Sequence, residues 1–142
     1  MNLGLTTPLL SLLGFAAWTA LLVLAVAVWR TRMVLGGEIA ANAFPHGDRH
    51  GPDRYWRLNR AHLNAAENLP LFAAVVLVGS VASVATPLFS TLSQVYLGAR
   101  VAQSAIHVSS NHVMAVNLRF AALLTQLGCF LWMSAEILRA AG

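Results

Sequence analysis

Four apolar stretches, each long enough for a membrane-spanning helix, alternate with polar segments along the chain. They lie at about residues 7–30, 54–84, 87–110 and 116–139, and a span needs roughly 20 apolar residues to cross a hydrocarbon core about 30 Å thick. Pro70 falls inside the second stretch, where we expect it to kink the helix without ending it. Because the last two connections are short, consecutive helices should run antiparallel. The pattern predicts an all-α integral membrane four-helix bundle, antiparallel and up-down, with residues 1–142 forming a single domain.

The one long polar loop, at 36–53, is rich in glycine, proline, histidine and charged residues. Six arginines gather on or beside it, namely Arg30, Arg32, Arg49, Arg54, Arg57 and Arg60. Since arginine and lysine accumulate on the cytoplasmic side of membrane proteins, we expect this loop to be cytoplasmic. We expect the membrane to be a bacterial inner membrane. At the opposite end, Glu136 and Arg139 have the i, i+3 spacing of a helical ion pair.

The composition excludes several classes of protein. Hydrophobic residues make up 58% of the chain and charged residues only 10%, whereas about a quarter of a soluble domain is charged. The nine basic residues are all arginines, and they are scattered instead of forming a stripe beside aromatic side chains, so we expect no nucleic-acid partner. The single cysteine, Cys129, excludes an internal disulfide and a CxxC site. His46 and His50 in the loop do not make a complete ligand set, so we expect no metal.

Polar side chains fall on one face of each of the last three spans. On the second span, five of them share an arc of about 100°: Arg57, Arg60, Asn64, Glu67 and Asn68. The third span carries Arg100, Gln103, His107 and Asn111 at i, i+3, i+7 and i+11, and the fourth carries Arg119 and Gln126. Polar groups are costly against acyl chains, so these stripes predict a buried basic cavity in the cytoplasmic third of the membrane.

The side chains of this cavity suggest the chemistry of its ligand. Arginine binds carboxylates through two parallel hydrogen bonds, and Glu67 offers a carboxylate for an ammonium group. A small zwitterion with excess negative charge fits this set. Glutathione has two carboxylates, one ammonium and a thiol, and a nearby guanidinium lowers the pKa of a thiol and so favours the nucleophilic thiolate.

Several segments closely resemble a known family. RAHLNAAENLPLF at 60–72 is similar to the second-helix motif of the MAPEG family, the membrane-associated proteins of eicosanoid and glutathione metabolism. Thr31 and Arg32 at the end of the first span, Asn42 in the loop, the GAR sequence ending at Arg100, and NLRFAALL at 117–124 also resemble family segments. The microsomal glutathione transferases are the most similar branch.

The resemblance implies a left-handed four-helix bundle that assembles as a homotrimer, with glutathione between adjacent subunits near the cytoplasmic side. It implies a glutathione-dependent transferase, with possible peroxidase activity, that joins the thiolate to a lipophilic electrophile from the bilayer. By position, Arg119 resembles the thiol-activating catalytic arginine, although this match requires an insertion ahead of it. The implied glutathione-binding residues are Arg32, Arg60, His62, Asn64, Glu67, Arg100, Gln103 and His107. Gln103 and His107 occupy positions where many members carry tyrosines, and His107 has a ring nitrogen that can donate to a thiolate.

Two alternatives stay open at this point. Arg60, Asn64 and Glu67 also fit an interhelical salt-bridge network, and His62 lies about 200° around the helix from Arg60, so an interfacial role competes with ligand contact. The whole chain also fits a non-catalytic tetraspan protein that keeps the family scaffold and binds an anionic metabolite or a lipid headgroup.

Overall fold

The chain folds into four helices and contains no strand in the part of the chain that the structure describes. A computed structural model describes residues 4–45 and 47–142, without the side chain of Ala141. His46, one of the two loop histidines considered as metal ligands, lies outside the described residues. The helices are α1 (Thr7–Leu35), α2 (Asp53–Val81), α3 (Pro87–Ser109) and α4 (Val113–Ala141). The all-α four-helix prediction is therefore confirmed.

Local chemistry sets where the helices begin and end. Pro87 opens α3 at a position where a missing N–H costs nothing, and the Thr86 hydroxyl caps the helix by accepting from the Phe89 N–H at 3.0 Å. Helix α2 continues through Pro70 and ends at Val81, three residues before the predicted end, because Ser83 takes a left-handed conformation with φ of 56°. Helix α1 extends to Leu35, five residues beyond the apolar stretch.

Helices α2 and α3 form the centre of the bundle. Helix α1 packs against both of them, α4 packs against the same two, and α1 and α4 do not touch each other within the described residues. Three buried rings fill the junction of α1, α2 and α3: Phe72 stacks on Tyr96 with centroids 4.2 Å apart, and Phe15 lies 5.9 Å from Phe72. This packing fixes the rotation of α3 and hence the direction of its polar face.

The outer surface of the bundle is suited to a bilayer. Three helices, α1, α2 and α4, are long and apolar enough to cross a membrane. Large apolar side chains point outward from them, including Leu13, Leu24, Leu77, Leu124 and Leu131. Such a surface is stable against lipid and unstable in water. The chain is a membrane protein with a four-helix architecture.

At the end of the bundle opposite the long loop, Glu136 of α4 binds Thr86 and not Arg139. The Thr86 hydroxyl donates to Glu136 Oε2 at 2.5 Å, and the only ion pair within the described residues joins Arg49 to Asp53 in the loop region. The predicted Glu136–Arg139 pair is wrong. The carboxylate instead lies at the N-terminus of α3, where the helix dipole favours negative charge.

Candidate functional site

A basic cluster forms where α2 begins, α3 ends and α4 begins. We define it as Arg57, Arg60, His107 and Arg119. The Arg57 side chain donates from Nε to the carbonyl of Val108 at 2.9 Å, which ties α2 to the last turn of α3. Arg60 lies one turn after Arg57 on α2, and the Arg119 carbonyl of α4 accepts from Gln103 of α3 at 3.0 Å, one turn before the half-buried His107. Three helices therefore direct cationic or imidazole side chains at one place.

The basic cluster has no acidic partner among residues 4–45 and 47–142. The one ion pair found there, Arg49–Asp53, lies in the exposed loop region. Nη1 of Arg119 is buried and makes no hydrogen bond to any described residue. Guanidinium groups held together without carboxylates repel one another and favour a bound anion. The cluster is thus suited to binding an anionic ligand.

Arg100 lies deeper than the basic cluster and is fully buried. Its Nη1 donates to Asn64 Oδ1 at 2.5 Å, and its Cζ lies 5.5 Å from the centroid of the Phe15 ring. Its Nε and Nη2 have no hydrogen-bond partner in the described chain. The Asn64 backbone carbonyl accepts from Asn68 Nδ2 at 2.8 Å. The structure thus brings two of the predicted glutathione-binding residues, Arg100 and Asn64, into contact with each other.

Gln103 is also buried, and it connects α3 to α4. Its Nε2 donates to the backbone carbonyl of Arg119 at 3.0 Å, and its Oε1 accepts from Gln126 Nε2 at 3.1 Å. Gln126 donates as well to the carbonyl of Ala122 at 2.9 Å. Both polar groups of the Gln103 amide therefore engage protein atoms beside Arg119.

Arg60 and Glu67 lie on the outside of the single chain. Both side chains are exposed, and neither forms an ion pair within the described residues. They share the α2 face that also carries Asn64, as the helical spacing predicts. These two side chains are accessible to a ligand or to a neighbouring subunit.

His62 lies on the other side of α2, facing α1. It lines a cavity of about 340 Å³ together with Arg30 and Asn59, and the rest of the lining is apolar: Val23, Val26, Ala27 and Leu63. Its Nδ1 is buried and lacks a hydrogen-bond partner in the described structure. Arg32 is exposed in the last turn of α1. The structure does not bring His62 or Arg32 to the basic cluster within one chain.

The long loop is anchored by residues that the sequence pattern did not single out together. Arg30 Nε donates to the buried Tyr55 hydroxyl at 2.8 Å, and its guanidinium lies 5.0 Å from the centroid of Phe44. His50 Nε2 is 3.2 Å from the same hydroxyl. The sequence offered one signal for this anchor: the aromatic residues Phe44, Tyr55 and Trp56 lie close to arginines along the chain. Aromatic rings commonly pair with guanidinium groups.

The described residues contain no group of three His, Cys, Asp or Glu side chains placed to hold a metal ion. His50 instead packs its ring against Phe44, Tyr55 and Trp56. Cys129 is buried in α4.

Comparison with known proteins supports a family assignment. The model of the MAPEG family matches residues 8–139, which is nearly the whole chain. No curated protein matches the chain.

Proposed function

The chain belongs to the MAPEG family, and we propose that it is a membrane-bound glutathione S-transferase. Glutathione is its co-substrate. The second substrate is a lipophilic electrophile that reaches the site laterally from the bilayer. The family supports a membrane protein of glutathione or eicosanoid metabolism, and the choice of a transferase rests on the site.

The observation that carries the proposal is the basic cluster, which lacks acidic partners in the described chain. Glutathione brings two carboxylates, and Arg60 is exposed and free to bind one of them through two parallel hydrogen bonds. Glu67 is exposed on the same face of α2 and offers its carboxylate to the glutathione ammonium. Asn64, oriented by Arg100, lies between them along the helix.

Arg119 is the proposed catalytic residue. A guanidinium beside the glutathione sulfur stabilises the thiolate and lowers the pKa of the thiol. The thiolate attacks the electrophilic carbon, the S–C bond forms, and the leaving group departs with its electron pair. With a lipid hydroperoxide, the thiolate attacks the terminal oxygen, the O–O bond breaks, and the lipid alkoxide leaves and takes a proton to become the alcohol. The thiol of a second glutathione then attacks the resulting glutathione sulfenic acid, which gives glutathione disulfide and water. His107 lies in the last turn of α3 and has a ring nitrogen that can donate to the thiolate.

The positions of His62 and Arg32 favour a site shared between subunits. Both belong to the α1 side of the chain, whereas Arg60 and Glu67 lie on the opposite face of α2. A closed ring places one surface of each chain against a different surface of the next chain. A homotrimer of this kind brings the α1 side of one subunit to the basic cluster of its neighbour, with glutathione between them.

The proposed location is a bacterial inner membrane with the loop at 36–53 in the cytoplasm. The arginines around that loop support this orientation. The basic cluster then opens toward the compartment in which glutathione keeps thiols reduced.

Calorimetric titration of the detergent-purified protein with glutathione tests the proposal. We expect saturable binding that Arg60→Ala and Glu67→Gln each weaken by about tenfold, since each removes a charge-assisted contact. Arg139→Ala is the matched control, because it removes an exposed arginine at the other end of the bundle. No heat of binding at millimolar glutathione contradicts the proposal.

One observation favours a second candidate, a non-catalytic protein that binds an anionic metabolite or a lipid headgroup. The amide of Gln103, at a position where many members carry a tyrosine, is occupied by Gln126 and by the Arg119 carbonyl. A turnover assay with a chloronitroaromatic electrophile separates the two functions. If the second candidate is correct, glutathione or another anion binds but the unmodified protein shows no turnover, so Arg119→Ala has no activity to remove.

A further inference from the structure

Gln126 makes a chain of hydrogen bonds that ends at the residue proposed to activate the thiol. Its side chain is 1% exposed, in the interior of a membrane bundle, two helical turns from Arg119 on the same helix. Its Nε2 donates to Gln103 Oε1 at 3.1 Å, and Gln103 Nε2 donates to the Arg119 carbonyl at 3.0 Å. This series of hydrogen bonds thus runs from α4 to α3 and back to α4.

The directions of these bonds are mutually consistent. Gln126 uses its Nε2 for two acceptors, the Ala122 carbonyl and Gln103 Oε1. Rotating the Gln103 amide by half a turn sets its NH₂ against the NH₂ of Gln126 and its oxygen against the Arg119 carbonyl, which loses both bonds. Gln126 and the Arg119 carbonyl therefore select the same orientation of the Gln103 amide, and Gln126 adds the bond that holds this amide from the side of α4.

We propose that Gln126 is a positioning residue for Arg119, acting through Gln103 to hold the first turns of α4 in one rotation and register against α3. Sliding or turning α4 by one residue breaks these interhelical bonds, and no solvent replaces them in the hydrocarbon interior. The direction of the Arg119 side chain follows from that of its backbone. This inference rests on the proposed function only for the role of Arg119, because the link between the helices is independent of any ligand.

A set of three variants separates positioning from stability. Gln126→Leu orphans the buried Gln103 Oε1 but also removes Gln126 Oε1, which has no partner in the described chain, so the expected loss of stability comes from the two hydrogen bonds that Gln126 Nε2 donates. The double variant Q103L/Q126L removes both polar partners and is expected to regain most of the lost stability, since paired apolar replacements are often nearly neutral. Ser93→Ala is the control, because Ser93 is fully buried and bonds to Ser11 between α3 and α1, away from α4.

Three readouts are needed, and each has its own expected result. The ultraviolet thiolate absorbance of bound glutathione should fall about tenfold in Gln126→Leu and stay low in the double variant. The calorimetric Kd of Gln126→Leu should change less than about threefold, because Gln126 does not reach the basic cluster. Amide hydrogen exchange over residues 113–126 should quicken in both variants and not in Ser93→Ala.

The outcomes distinguish this inference from the proposed function. A thiolate signal that recovers together with stability in the double variant overturns the positioning role. Unchanged hydrogen exchange over residues 113–126 in Gln126→Leu overturns the link itself. If the unmodified protein binds glutathione without a thiolate signal, the proposed function fails, and a quickened exchange still establishes that Gln126 holds this part of α4.

Discussion

Arg100 of α3 donates a hydrogen bond to Asn64 Oδ1 of α2 at 2.5 Å, and this bond joins two of the polar stripes inside the bundle. Arg100 is fully buried, whereas the basic cluster is nearer to the end of the bundle. A buried guanidinium needs acceptors from the protein or from a ligand. In the described chain the acceptors are the side-chain oxygen and the backbone carbonyl of Asn64. Arg100 thereby fixes the rotamer of a residue on the proposed glutathione-binding face.

Removing Asn64 should lower stability more than removing Arg100. Asn64→Leu leaves the Arg100 charge buried without its side-chain acceptor, and we expect it to lower the free energy of unfolding by about 2 kcal/mol more than Arg100→Leu. Unfolding in mixed micelles with increasing denaturing detergent measures the difference. The double variant R100L/N64L should be more stable than Asn64→Leu alone. Equal losses for the two single variants contradict this account.

Helical periodicity was sufficient to predict which helix faces carry the candidate site residues, and side-chain packing decides how those faces meet. The spacing of Arg60, Asn64 and Glu67 predicts one face of α2, and the 200° offset predicts that His62 faces elsewhere, as it does. The bond between Arg100 and Asn64 depends on the rotation of α3 about its own axis. That rotation is set by contacts among rings on three helices, which no single helix pattern contains.

Hydropathy gives the spans but not the ends of the helices. The apolar stretch of α1 stops near Arg30, yet the helix continues to Leu35, because backbone hydrogen bonding does not require apolar side chains once the helix leaves the hydrocarbon. The end of α2 depends on the left-handed conformation of Ser83. A serine in the sequence does not predict that conformation.

Close packing of α2 against α3 predicts that Gly79 cannot be enlarged. A Cβ at this position would lie 2.4 Å from the ring of Phe89, so Gly79→Ala should destabilise the bundle by about 1–3 kcal/mol. Gly98→Ala is the matched control, because its Cβ meets nothing within 4 Å in the described structure, and it should stabilise α3 by about 0.5–1 kcal/mol. Thermal unfolding in detergent compares the two. Loss of stability in both variants would count against the α2–α3 packing described here.

The Thr86 hydroxyl has two roles at the far end of the bundle, since it caps α3 and donates to Glu136. Thr86→Ala should cost about 1–2 kcal/mol of stability through loss of the cap and of the contact with α4. Thr86→Ser keeps the hydroxyl and should retain most of the stability. Chemical denaturation of both variants checks the prediction, which is refuted if serine and alanine behave alike.

The Tyr55 hydroxyl should limit how often the long loop opens. Tyr55→Phe removes the hydroxyl that contacts Arg30 and His50 while keeping the buried ring. A lost hydrogen bond of about 1 kcal/mol corresponds to about fivefold more opening of the loop. Trypsin cleavage after the exposed Arg49 measures this, and the rate should rise by about that factor. Trp56→Phe is the comparison, because it keeps the hydroxyl of its neighbour; an unchanged cleavage rate in Tyr55→Phe would show that the loop is held by other contacts.

In the proposed function, the basic cluster binds glutathione and Arg119 holds it as the thiolate. The most direct measurement is the ultraviolet difference spectrum of glutathione titrated into the detergent-purified protein at neutral pH, with Arg119→Ala and Arg139→Ala beside it. We predict a saturable thiolate absorbance in the unmodified protein and in Arg139→Ala, and its loss in Arg119→Ala while calorimetric binding persists. A thiolate absorbance of the same size in Arg119→Ala, or none in the unmodified protein at saturating glutathione, would contradict the account.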